Sequence, residues 1–160
     1  MRAILNDKDV KIDAFLGPSH VSVITGYGIY ESIAAEYKKP IAVSGFEPLD
    51  LMDGILNLVR QQNAGTHEVY NEYARVVTRE GNQKAKALIE EFFEPCDFSW
   101  RGLGVIAQSG MKLRPEYAKL DARVKFDCSV QSKGESKACI CPEILRGRAK
   151  PFDCKIFAKA

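Results

Sequence analysis

Between residues 12 and 95 the hydrophobic period changes from one segment to the next, and this alternation limits the available folds more than any other feature. "IDAFL" at 12–16 is a short apolar run followed by the turn-forming "GPSH". "GIYESIAAEYKK" at 28–39 places Ile29, Ile33, Ala34 and Tyr37 on one helical face. "PIAVSG" at 40–45 is a β-rich run held between proline and glycine. In "EPLDLMDGILNLVRQQNAG", Met52, Ile55, Leu56 and Val59 step at i, i+3, i+4 and i+7, and Gly65 is the expected stop. "EVYNEYARVV" at 68–77 is β-branched and aromatic and reads as a strand. "GNQKAKALIEEFFEP" puts Ala85, Leu88, Ile89 and Phe92 on one face, and Pro95 ends it. The order β–α–β–α–β–α predicts an α/β fold: a mostly parallel sheet with right-handed crossovers and flanking helices.

Beyond Trp100 the pattern dissolves. "WRGLGVIAQSGMKLRPEY" is punctuated by glycine, with one expected strand at 103–107 and a short helix at 115–123. From Asp127 nothing is periodic. The expected organisation is an α/β domain at 1–98, an irregular connection at 99–126 and a cysteine-rich segment at 127–160. A segment that buries no apolar face needs another staple, and a metal centre is one.

Length and charge narrow the function classes. A chain of 160 residues, 46% hydrophobic, can bury a sizeable core. The net charge of +2 argues against a general nucleic-acid binder. No segment approaches the ~20 apolar residues of a membrane span. The N-terminus turns charged at once and lacks a signal-peptide core, so no membrane partner and a cytoplasmic location are expected. Five cysteines are an odd set, and four of them fall between Cys128 and Cys154. In a reducing compartment such crowding reads as metal binding before disulfides. Residues 129–160 carry seven Lys/Arg against three Asp/Glu, and cations favour thiolates; a solvated lysine-rich segment reads equally well.

Two motifs bear on chemistry. "GYGIYE" lacks the third glycine of a dinucleotide fingerprint, because position 31 is Glu31. "GFEPLD" at 45–50 follows a predicted strand and opens a predicted helix, with Pro48 at its first position and Glu47 and Asp50 near its positive end. Simple capping explains it. The functional alternative is a site at the carboxyl edge of a parallel sheet, where open α/β folds place theirs, with His20 on an equivalent edge. His20, Glu47 and Asp50 are therefore the candidate catalytic residues, although no Ser or Cys sits in a nucleophile elbow. His67 reads as a loop residue. The spacing Cys128-x10-Cys139-x-Cys141-x12-Cys154 has neither zinc knuckles nor ferredoxin spacing, so by spacing alone it is a metal site of open type or a set of free thiols.

The chain resembles the HypD family of [NiFe] hydrogenase maturation proteins. The resemblance rests on "FLGPSHVSVITG", "PIAVSGFEPLDLMDGILNLVRQ", "YARVVTREGNQKA", "CDFSWRGLGVIAQSGMKLRPEYAKLDA" and "ACICPEILRGRAKPFDCKIF", in family order over nearly the whole chain. It departs at Gly17-Pro18-Ser19-His20, where the family reads Cys-Pro-Gly-His, at Ala107, where the family has proline, and at Cys141-Pro142-Glu143, where the family has Cys-Gly-Glu.

The resemblance implies a maturation scaffold that partners HypC and HypE in assembling the Fe(CN)2CO unit, and that carries a [4Fe–4S] cluster. The family motif C-x14-C-x6-C-x16-C fits Cys139 and Cys154 as its first two ligands, because fourteen residues separate them. The third would fall at position 161, so 127–160 would be a truncated cluster segment and the chain an internal fragment without the family's amino-terminal thiols. Cys141 and Cys128 could complete a local four-thiol set. The alternatives are a stand-alone α/β redox or transferase enzyme and an inactive fragment.

Overall fold

The computed structural model describes residues 1–126, 136 and 138–158. In chain order its helices and strands are α1 (Arg2–Leu5), β1 (Phe15–Pro18), α2 (Ser19–Thr25), α3 (Glu31–Tyr37), β2 (Ile41–Ser44), α4 (Pro48–Ala64), β3 (Val69–Asn71), α5 (Gln83–Phe92), β4 (Phe93–Trp100), β5 (Gly104–Leu113), α6 (Ala122–Lys125) and α7 (Cys141–Leu145). They form two compact units. One comprises Met1–Arg2 and Ile12–Ala87, the other Ala3–Lys11 and the chain from Leu88.

The first unit is the expected parallel α/β layer. β1, β2 and β3 pair in that order, with Phe15 opposite Ile41 and Ile41 opposite Val69. β2 is central and all four of its residues are buried, as befits a strand with neighbours on both edges and helices over its faces. Side chains alternate between faces. Ile41 and Val43 join Tyr30, Ala34 and Val77 in one apolar cluster, with Phe15 packed against it. On the other face Gly54 of α4 approaches so closely that a Cβ there would lie 3.0 Å from Leu16 and 3.1 Å from Ser44.

Local signals place the ends of α4. Pro48 occupies its first turn, and Gly65 closes it in the left-handed region at φ 66°. The face turned to the protein is not the expected one. Asp50, Gly54, Leu58 and Gln61 are buried, whereas Met52, Ile55, Leu56 and Val59 are exposed. The segment 68–77 also differs. Only Val69–Asn71 is strand; then Glu72 and Tyr73 both donate their N–H groups to the Val43 carbonyl, and the chain turns over the sheet edge to bury Val77. "GPSH" forms the last residues of β1 and the start of α2.

The second unit holds a β-hairpin where the sequence suggests irregular chain. β4 and β5 pair antiparallel from Phe93 opposite Leu113 to Trp100 opposite Gly104. The glycines that break the periodicity are its turn: Gly102 and Gly104 have φ 75° and 74°. α5 stops at Phe92, before Pro95, which lies within β4 opposite Met111. A two-stranded ribbon has an outward edge at which proline's missing N–H is tolerated. A bulge interrupts the pairing after Cys96, where Gln108 takes φ 52° and donates its N–H to the Asp97 carboxylate at 2.9 Å. The short helix expected at 115–123 is a 3-10 turn over Pro115–Leu120 followed by α6.

Candidate functional site

The carboxyl edge of the parallel sheet gathers an ion network built by two turns. After β2 the chain passes through Gly45, whose N–H donates to Glu72 at 3.2 Å. A Cβ at Gly45 would stand 2.0 Å from Asp50 Oδ2 and 2.5 Å from the Tyr73 ring, so only glycine lets Asp50 reach the edge. After β3 the turn brings back Arg75. Its guanidinium lies 2.5 Å from Asp50, 3.6 Å from Glu47 and 3.6 Å from Glu72. It stacks 3.9 Å above the Tyr73 ring.

This geometry fixes the charge states. The hydrogen bond from Arg75, joined by one shared with Glu47, holds the Asp50 carboxyl below its ordinary value. Asp50 in turn raises Arg75. A carboxylate tied to an arginine is a poor proton acceptor, so the edge is a satisfied structural network rather than a general base. Glu47 and Asp50 therefore meet on one arginine. His20, exposed at the start of α2, packs against Phe46 with ring centroids 5.3 Å apart. Among the described residues no hydrogen bond joins His20 to either acid. His67 lies in the loop between α4 and β3.

The second unit brings three cysteines together. Cys139 Sγ and Cys141 Sγ are 3.0 Å apart, the Arg101 guanidinium lies 3.7 Å from Cys139, and Cys154 is buried. The Cys141 thiol and backbone N–H lower the Cys139 pKa, with Arg101 adding to the effect, and the Cys139 sulfur raises that of Cys141. Cys154 is pulled down by backbone N–H groups of Ile140 and Ile156. Relative to an ordinary cysteine, the surroundings thus shift Cys139 and Cys154 toward the thiolate and Cys141 toward the thiol. Cys128 lies outside the described residues.

The loop between α7 and Cys154 is clamped by the amino-terminal residues of the same unit. Arg146 Nε meets Asp7 at 2.7 Å, Arg148 pairs with Asp7, and the Lys11 N–H donates to the Arg146 carbonyl at 2.8 Å. Gly102 of the hairpin turn sits against α7, where an added Cβ would be 3.1 Å from the Pro142 nitrogen. Arg75, Arg101 and Arg146 fall in stretches that carry the family resemblance, yet nothing in those stretches names their partners, and Asp7 lies outside all of them. They reach these sites across sequence gaps that no local pattern spans.

A [4Fe–4S] cluster takes four cysteine thiolates. Cys139 and Cys154 suit two such positions. Cys141, within hydrogen-bonding distance of Cys139, is placed as its neighbour rather than as an independent ligand. Among the described residues no three His, Cys, Asp or Glu side chains are arranged to hold a metal ion.

Comparison with known proteins identifies the lineage. The HypD family model, described as the hydrogenase formation hypA family, matches residues 1–160. The hydrogenase maturation factor HypD2 of Bradyrhizobium diazoefficiens is 51% identical over 155 residues, 96% of this chain and 41% of the relative. The hydrogenase maturation factor HypD of Cupriavidus necator is 49% identical over 150 residues, 93% of this chain and 40% of the relative. That of Escherichia coli is 42% identical over 160 residues, 98% of this chain and 42% of the relative. The chain thus spans roughly two fifths of the length of these relatives. Among its described residues no helix is long and apolar enough to cross a membrane. The chain belongs to the HypD hydrogenase formation family.

Proposed function

We propose that this chain serves hydrogenase maturation as part of a HypD-type scaffold, and that Cys139 and Cys154 supply two ligands of its [4Fe–4S] cluster. The observation that carries the reading is the family match over the whole chain, joined to two cysteines whose surroundings favour the thiolate. When bound, such a cluster supplies one-electron transfer. The chain's own contribution would be to hold two sulfurs. Arg101 offsets the negative charge of Cys139, and N–H groups of Ile140 and Ile156 donate to the buried sulfur of Cys154, the interactions by which proteins tune clusters. HypC- and HypE-type proteins are the proposed partners, the Fe(CN)2CO unit is the cargo, and the cytoplasm is the proposed compartment.

A stand-alone enzyme built on His20, Glu47 and Asp50 is the weaker reading, because Asp50 is bound to Arg75 and His20 stacks on Phe46. The test is complementation. Escherichia coli lacking its HypD would receive a chimera in which this chain replaces the matching 160 residues of that protein. Restored hydrogenase activity is expected, together with its loss in Cys139→Ala and Cys154→Ala. Full activity in both variants would overturn the ligand assignment, and an inactive but folded chimera would overturn the maturation role.

A further inference from the structure

We propose that the outer face of α4, with Phe46 at its head, is an internal docking surface. In a protein of full family length it is covered by the polypeptide outside this 160-residue segment. Phe46 is 63% exposed, Leu49 79%, Met52 67%, Ile55 51%, Leu56 45% and Val59 51%. From Leu49 to Val59 this face runs about three helical turns. The opposite face is already engaged against the sheet, with Asp50, Gly54, Leu58 and Gln61 buried, so these apolar side chains form a second face that the described residues leave exposed.

Of the polar residues of α4, Arg60, Gln62 and Asn63 are exposed, whereas those flanking the buried side are engaged within the fold. Asp53 accepts a hydrogen bond from the Tyr70 hydroxyl at 2.7 Å, and Asn57 pairs with Gln61 at 2.8 Å. The patch continues past Phe46 to a pocket of about 120 Å³ bordered by Leu16, Pro18 and Leu51. A contiguous apolar surface of this kind marks an interaction site. Separable interfaces are about as polar as the rest of a protein surface, whereas permanent ones resemble a divided core. An unbroken row of six large apolar side chains is of the permanent kind. In a protein of family length the occupant that is permanently present is the rest of the same polypeptide, and the matched relatives are a little over twice as long as this chain.

The inference rests on family membership and not on the cluster or the maturation role, so its test reads packing rather than activity. Hydroxyl-radical footprinting with mass spectrometry would compare the 160-residue chain with a chimera carrying it within Cupriavidus necator HypD. Met52 is the reporter and Met111, 51% exposed on the hairpin, the internal reference. The expected result is oxidation of Met52 in the isolated chain and its loss in the chimera. Leu56→Glu is expected to lower the thermal midpoint of the chimera and to leave that of the isolated chain unchanged. Footprinting the unmodified Cupriavidus protein at the residues aligned with Leu49 to Val59 gives the same reading should the chimera fail to fold. Equal oxidation of Met52 in both contexts would overturn the proposal. So would protection that rises with concentration of the isolated chain, which would indicate a second copy. Protection that requires a separate maturation protein would overturn it as well.

Discussion

Gly45 is the residue on which the sheet edge depends. Any Cβ there collides with the Asp50 carboxylate and the Tyr73 ring, and neither can withdraw without releasing Arg75. Gly45→Ala is expected to destabilise the first unit by about 1–3 kcal/mol, the usual cost of overpacking, measured by urea unfolding. Asp50 adds a pH signature. Its folded pKa is depressed, so its contribution is full above the ordinary aspartate value and is lost as acid protonates it in the fold. The thermal midpoint should therefore fall on acidification below about pH 5, and it should fall less steeply in Asp50→Asn. An equal slope in the variant would contradict the Arg75 pairing. At the other site, Gly102 at φ 75° faces Pro142. Gly102→Ala should cost about 1–2 kcal/mol for the left-handed backbone alone, with increased hydrogen exchange at the start of α7.

At the scale of elements, what could be read from the sequence depended on how local the deciding interaction is. The bounds of α4 follow from Pro48 and Gly65, which act on their own backbone. Its orientation does not, because periodicity reports that an apolar face exists and not what lies against it. The sheet-facing side uses Gly54 for close approach and buries Asp50 for Arg75, choices that only the partner element explains. Leu58→Ala should thus cost about 2–5 kcal/mol in the isolated chain. Leu56→Ala should stay within about 0.5 kcal/mol, and the reverse order would contradict the observed face. The hairpin escaped detection for a related reason. Gly102 and Gly104 read as irregular chain until their partner strand is known. In the same way, the β-branched run at 68–77 hid the turn that delivers Arg75, because composition does not register a double hydrogen bond to Val43.

At the scale of the molecule, two units carry two different features. One is a parallel α/β layer with a satisfied ion network at its carboxyl edge, and the other a hairpin, with Cys139 and Cys141 before and at the start of α7 and a clamped loop leading from α7 to Cys154. The cysteine spacing was visible in the sequence. The Asp7 clamp on Arg146 and Arg148 was not, since it joins residues at opposite ends of the chain. The proposed cluster takes Cys139 and Cys154 as two of its four thiolates. Anaerobic reconstitution with iron and sulfide, read by visible absorption and iron content, tests it most directly. Little or no cubane is expected on the 160-residue chain, and a stoichiometric cluster on the family-length chimera, lost in Cys154→Ala. A stable, stoichiometric cluster on the isolated chain, or one that survives Cys154→Ala in the chimera, would contradict it.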